Sequence, residues 1–122
     1  MFNGSCYSFR KDMKDWESAR EYCKSLGSEL VKITSNAENE FIRNQTVIDY
    51  WIGLNDKDIE GRFKWSVDNS SIQDNGNYSR WASGQPDNDD GIQDCGVIYS
   101  TGTWDDRNCI YGHYFTCEKP AS

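Results

Sequence analysis

Cys6, Cys23, Cys95, Cys109 and Cys117 constrain this 122-residue chain more than anything else in it. They form no Cys-x-x-Cys pair and share the chain with a single histidine, so a disulfide framework suits them better than a zinc cluster. Four can pair within the chain and one is left over; counting does not say which. Disulfides persist outside the reducing cytosol, so a secreted protein, or an extracellular domain of a larger one, is the expected setting. The triplets Asn3-Gly4-Ser5, Asn44-Gln45-Thr46, Asn69-Ser70-Ser71 and Asn77-Tyr78-Ser79 have the form of N-glycosylation acceptors. They agree with that compartment but add little weight, because such triplets arise easily in an Asn- and Ser-rich chain.

The length fits one domain over residues 1–122, since domains commonly run to roughly 100–150 residues around one core. Five Trp, seven Tyr and five Phe predict a core built from rings more than from Leu and Val. The formal charge of −7 argues against a nucleic-acid partner, because phosphate-binding domains carry a basic stripe and none is visible. A cationic partner suits the chain better. No apolar run approaches the roughly 20 residues that cross a bilayer, so no membrane insertion is expected. Met1 to Arg10 has neither the basic nor the apolar region of a signal peptide, and the sequence is expected to be a trimmed piece.

Tyr7 and Phe9 alternate with polar neighbours as in an edge strand, after which Trp16, Ala19, Arg20, Tyr22 and Cys23 recur at helical spacing. Asp15 is placed to cap that helix and Gly27 to stop it. A second helix is predicted from Ser35 or Asn36 through Ile42, with Glu38 three residues after Ser35 as in a capping box. Trp51-Ile52-Gly53-Leu54 reads as a short buried strand and Phe63-Lys64-Trp65 as another with alternating faces. From Asp68 to Gly91 almost every residue is polar or Gly, and a stretch of that length is either disordered or a functional loop. Trp81 and Pro86 within it favour a loop held by packing and a bound ion. Cys95 to Tyr99 and Tyr114 to Cys117 are strand-like and bracket Trp104-Asp105-Asp106, read as a turn. The fold class is therefore α+β, two helices segregated from antiparallel sheet, with a long loop region.

Asp87, Asp89, Asp90, Asp94, Asp105 and Asp106 fall within twenty residues, interleaved with the amides of Gln85, Asn88, Gln93 and Asn108. Six carboxylates folded together repel one another unless a cation sits among them. Mixed carboxylate and amide oxygens suit Ca2+, which takes 6–8 hard donors in flexible geometry. A solvated acidic loop has the same composition, and EF-hand spacing is absent.

The order of these features resembles the C-type lectin family over essentially the whole chain. The resemblance is carried jointly by the Trp16–Cys23 helix, Trp51-Ile52-Gly53-Leu54, Trp81, Gln85-Pro86-Asp87, Cys95, Trp104-Asp105-Asp106, Cys109 and Phe115-Thr116-Cys117-Glu118. It implies disulfides Cys23–Cys117 and Cys95–Cys109. Cys6 then resembles the second cysteine of an extra N-terminal pair in longer members; it could also cross-link two chains, giving a homo-oligomer, or stay free. The resemblance further implies a principal Ca2+ site of Gln85, Asp87, Gln93, Asp105 and Asp106, with Pro86 in the cis form that the family uses. Two vicinal sugar hydroxyls would complete the ion's shell, with Gln85, Asp87, Gln93 and Asp105 as their hydrogen-bonding partners. An accessory Ca2+ site is implied at Asp56, Glu60, Asn88 and Asp94.

Two departures from the family pattern matter. Where members usually carry Glu and then Asn, this chain has Gln93 and Asp105. The three carboxylates Asp87, Asp105 and Asp106 survive, so calcium remains expected, though an amide is a weaker ligand and affinity in the roughly 0.1–1 mM range follows. In the family, Gln-Pro-Asp accompanies galactose-type sugars, which here means galactose or N-acetylgalactosamine. The exchanged second pair keeps mannose or glucose open. Galactose needs an aromatic platform and no Trp follows Asp87, so Tyr99 is the candidate, although a core ring is an equally good reading of it. Trp81 and Trp104 read as core.

The leading function is thus Ca2+-dependent recognition of glycans on cell or microbial surfaces, with no catalysis. An enzyme fits poorly: His113 has no evident nucleophile or acid partner, and the Asp cluster lacks the two contrasted environments that glycosidases need. A module of the same fold that binds protein or ice is the stronger rival. Such modules usually lose the ligand positions, whereas this chain keeps an oxygen at each.

Overall fold

The computed structural model describes residues 4–46, 48–58, 62–76, 78–82 and 94–120. In chain order they form β1 (Ser5–Lys14), α1 (Trp16–Ser25), β2 (Glu29–Leu30), α2 (Asn36–Arg43), β3 (Tyr50–Asn55), β4 (Lys64–Trp65), a single 3-10 turn (Gln73–Asn75), β5 (Cys95–Ile98), β6 (Trp104–Arg107) and β7 (His113–Pro120). The strands make one sheet in the order β1-β7-β3-β5-β6, with β2 added to β7 and β4 to β3. All pairings are antiparallel except β3 with β7, which run parallel with Tyr50 beside Tyr114 and Trp51 beside Phe115. This is the two-helix α+β fold expected from the sequence, with that parallel pair added where the chain leaves β3 on one side and returns on the other.

Local chemistry explains the helices. Asp15 caps α1 by accepting from the Ser18 amide at 2.7 Å, which satisfies one of the orphan donors of the first turn. Trp16, Ala19 and Cys23 form its buried face. Ser35 caps α2 by accepting from the Glu38 amide at 3.2 Å. The expected capping box is only half made: Glu38 accepts from the Thr34 amide at 3.1 Å and from the Tyr7 hydroxyl at 2.6 Å. Its carboxylate therefore ties α2 to β1 instead of closing on the cap residue.

One expectation is corrected. Trp104-Asp105-Asp106 is strand β6, not a turn: it pairs with β5 from Ile98 opposite Trp104 to Cys95 opposite Arg107. Two adjacent Asp residues favour a turn by propensity, but burial of Trp104 and Asp106 on one face overrides it. The turn lies just before, where Gly102 adopts φ +87° and its amide donates to the Tyr99 carbonyl at 2.9 Å. The core is built from rings more than from Leu and Val, as composition implied, with isoleucines as the main aliphatic partners. Trp16, Trp51, Trp65 and Trp104 are its largest fully buried side chains, and Ile33, Ile42, Ile52, Ile72 and Ile98 fill the space between the rings.

The rings meet edge to face, Trp65 and Trp104 at 5.6 Å and 90°, and buried indole N–H groups find partners as burial requires. Trp16 donates to the Ile52 carbonyl at 2.9 Å and Trp51 to the Lys14 carbonyl at 2.8 Å. Trp104 donates to Asn39 at 2.9 Å, and the Asn39 amide donates in turn to the Gly102 carbonyl at 2.8 Å. Asn39 is fully buried and so clamps α2 to the β5–β6 turn. Replacing it by Ala leaves an indole N–H and a carbonyl unmatched, and is expected to lower unfolding free energy by about 2–4 kcal/mol. Denaturant titration of Asn39→Ala checks this; a loss below about 1 kcal/mol contradicts the clamp.

Gly53, in the middle of β3, is required for a different reason. A Cβ there would sit 3.0 Å from the Leu30 and Val31 carbonyl oxygens and from Ser66 Oγ, so a larger residue would force β3 and the segment crossing it apart. The staples are Cys23–Cys117, joining α1 to β7, and Cys95–Cys109, joining β5 to the segment after β6. Both pairings are those implied by the resemblance. Cys6 is a half-buried free thiol.

Candidate functional site

The candidate ligands come from β6, from the segment before β5 and from the connection after β3. Gln85, Asp87, Gln93, Glu60 and Asn88 lie outside the described residues. Asp105 and Asp106 stand on β6, and strand geometry turns them to opposite faces. Asp106 follows Trp104 on the inward face and is completely buried, where a carboxylate must be matched by donors or a cation. Asp105 faces partly outward, opposite Val97 of β5.

Asp105 is the centre of a polar network. Its Oδ1 accepts from the Asp106 amide at 2.8 Å. Its Oδ2 accepts from the Tyr99 hydroxyl at 2.5 Å and from Arg107 Nε at 3.2 Å. Arg107 also donates through Nη2 to the Tyr99 oxygen, and its guanidinium lies over the Tyr99 ring, 5.3 Å from the centroid. Burial pushes the Tyr99 phenol up to about 12, and its bond to Asp105 acts in the same direction while Arg107 opposes it. One face of Tyr99 is thus taken by Arg107, and the ring packs on the core cluster of Trp16, Trp51 and Val97.

Behind this network lies the chain's one histidine. Arg107 Nη1 is 3.8 Å from Asp49 Oδ2, and His113 Nδ1 is 3.4 Å from the same oxygen. His113 also stands edge-on to Trp51, with ring centroids 4.6 Å apart. Burial pushes the imidazole below its ordinary value, against the pull of Asp49. His113 is thus packed between Asp49 and Trp51.

Asp56 and Asp94 come together at the end of β3. The Asp56 amide donates to the Asp94 carbonyl at 2.9 Å, Asp56 is buried, and Asp94 Oδ1 is buried without a hydrogen-bond partner among the described residues. An orphaned carboxylate oxygen next to a second buried acid is the donor chemistry that a hard cation such as Ca2+ satisfies. The described half of the accessory set therefore fits calcium. No group of three or more His, Cys, Asp or Glu side chains converges as a metal cluster among the described residues.

Sequence reasoning missed Arg107 and Asp49. Arg107 was legible only with β6 recognised as a strand, since Asp105 and Arg107 share a face at a spacing of two; Asp49 carries no signal of its own.

Residues 12–119 match the family profile described as Lectin C-type domain. The chain belongs to the C-type lectin domain family. It is 34% identical over 120 residues to the hepatic lectin of Gallus gallus, covering 98% of this chain and 56% of that protein. It is 38% identical over 124 residues to asialoglycoprotein receptor 2 of Rattus norvegicus, covering 97% and 40%. The chain thus spans about half or less of the length of the curated relatives it matches. Among solved structures, the cow carbohydrate-recognition domain of CD23, determined in the presence of a GlcNAc2Man3 oligosaccharide, superposes with a TM-score of 0.91 at 34% identity, covering 99% of this chain and 92% of that one. Among the described residues of this C-type lectin domain, no helix is long and apolar enough to cross a membrane.

Proposed function

We propose that this C-type lectin domain, taken as one carbohydrate-recognition unit over residues 1–122, binds glycans in a Ca2+-dependent manner, either as a secreted protein or as an extracellular part of a larger one. The observation that carries the reading is the retention of an oxygen donor at every position of the ligand set, Gln85, Asp87, Gln93, Asp105 and Asp106, in a chain of this family. Ca2+, when bound, supplies coordination sites for two vicinal sugar hydroxyls. The side chains do the rest: Asp87 and Asp105 accept hydrogen bonds from those hydroxyls, while the amides of Gln85 and Gln93 both accept and donate. The accessory positions Asp56, Glu60, Asn88 and Asp94 hold a second ion in the same reading, supported by an Asp94 oxygen that has no hydrogen-bond partner among the described residues.

Galactose or N-acetylgalactosamine is the proposed sugar, on the strength of Gln85-Pro86-Asp87. Mannose or glucose is the second reading, favoured by the exchanged pair Gln93 and Asp105. Tyr99 is the proposed aromatic contact, through the part of its ring that Arg107 and the core cluster leave uncovered. A glycan array probed in Ca2+ and again in chelator tests all of this together. Galactose-terminated glycans are expected to bind in Ca2+ and to lose signal in chelator. Signal that survives chelation contradicts the metal, mannose-only binding contradicts the galactose assignment, and no binding to any glycan favours the protein-binding rival.

A further inference from the structure

Asp105 stands where the family usually has an amide, and it faces the one guanidinium on its strand. Arg107 Nε lies 3.2 Å from Asp105 Oδ2, and the Tyr99 hydroxyl reaches the same oxygen at 2.5 Å. Asp105 Oδ1 is contacted by the Asp106 amide at 2.8 Å. The guanidinium is itself held at three points: on Asp105, on the Tyr99 oxygen and ring face, and 3.8 Å from Asp49. Its side chain is 29% exposed and that of Asp105 is 14% exposed, so the pair is shielded from bulk water more than a surface ion pair is.

We infer that Arg107 is a positioning residue of the ligand site, which holds Asp105 by its outer oxygen, offsets the charge that the Asn-to-Asp departure introduces, and sets how strongly Asp105 attracts a divalent cation. The inference rests on the proposed calcium reading for its consequence, and on the observed pair for its cause. A carboxylate has about four acceptor directions. Two on Oδ2 are taken by Tyr99 and Arg107 and one on Oδ1 by the Asp106 amide, which leaves Oδ1 free to face an ion or a sugar hydroxyl. Asp105 is thus fixed in rotamer like an amide whose outer nitrogen is anchored, but it is an acceptor only. Any hydroxyl bonded to it must donate, and the donor complementary to that sugar must come from elsewhere, Gln93 being the available amide in the proposed set. Lys at position 107 supplies the charge without the fork that reaches Asp105, Tyr99 and Asp49 together.

The test is calorimetric titration of CaCl2 into chelator-treated protein, comparing the parent with Arg107→Gln and Arg107→Lys. Removing the guanidinium frees Asp105 for the cation, so Arg107→Gln is expected to tighten Ca2+ binding by roughly three- to tenfold, the scale of one unit charge removed beside a partly shielded carboxylate. Arg107→Lys keeps the charge but not the fork, so it should not tighten Ca2+ binding and should fall at or below the parent affinity, because Asp105 is held less firmly. Unchanged or weaker Ca2+ affinity in Arg107→Gln overturns the inference. Uptake of no Ca2+ by the parent itself defeats the functional reading instead, and the pair is then judged without metal. A thermal-unfolding double-mutant cycle in EDTA, crossing Arg107→Gln with Asp105→Asn, should be non-additive; additivity overturns the positioning role.

Discussion

Replacing Cys23 and Cys117 together by Ser is expected to remove about 4–5 kcal/mol of stability, the largest loss any single covalent change in this chain should produce. The bridge spans 94 residues of sequence, so cutting it releases nearly the whole chain in the unfolded state, and in the loop-entropy account the stabilisation grows with that span. Its position adds a second cost. Both half-cystines are buried in the cluster of Trp16, Leu30, Trp51 and Phe115, where two serine hydroxyls would sit among apolar atoms. Total stabilities of single domains lie at about 5–15 kcal/mol, so the double variant should stand near the edge of folding. The Cys95–Cys109 bridge, with a separation of 14, should contribute about 3 kcal/mol by the same account. Urea titration of the two double-Ser variants measures both; equal losses, or a loss under about 2 kcal/mol for Cys23 and Cys117, would contradict the ordering.

The elements that were legible in the sequence share a physical property: their signal is local. Asp15 and Ser35 announce helix starts because a capping side chain acts on an amide three residues away. Strand β3 is legible because Trp51-Ile52-Gly53-Leu54 is buried on both faces and has no alternative use. What was not legible depends on partners distant in sequence. The two-residue β2 exists only because Glu29 and Leu30 meet Glu118 and Cys117 of β7. Strand β6 looked like a turn because Asp-Asp is poor strand sequence; its pairing with β5 and the burial of Trp104 decide the matter. The candidate site shows the same division. Asp105 and Asp106 could be named from their motif, but the clamp of Tyr99 and Arg107 on Asp105, with Asp49 facing Arg107 from behind, requires three segments to be brought together. The disulfide pairing sits between these cases, since counting left it open and only the resemblance to a family chose among the alternatives.

Asp106→Ala and Asp87→Ala are each expected to abolish the stabilisation that Ca2+ confers and with it Ca2+-dependent glycan capture. A ligand that binds the native state alone raises stability by RT ln(1 + [L]/Kd). With an affinity in the range of about 0.1–1 mM for extracellular calcium modules, 10 mM Ca2+, or roughly 10–100 times Kd, adds about 1.4–2.7 kcal/mol. For a domain of this size that corresponds to a melting-temperature rise of about 5–10 °C. Asp106 is completely buried on β6, so its removal also perturbs the metal-free fold. The decisive quantity is therefore the difference between melting temperatures with and without Ca2+, measured within each variant. Asp106→Asn keeps the shape while removing the charge, and should lose most of the difference while unfolding close to the parent in chelator. An undiminished Ca2+ shift in Asp106→Ala or Asp87→Ala would remove these residues from the ligand set. The pH dependence follows from the same chemistry. Carboxylates must be ionised to hold the ion, and protons compete with it as pH falls toward their ordinary range near 4. The Ca2+ shift should accordingly be full at pH 7 and clearly smaller at pH 4. Capture that is Ca2+-dependent yet equally strong at pH 4 would mean that the oxygens holding the ion are not carboxylates, and the charge argument for Asp87, Asp105 and Asp106 would fall with it.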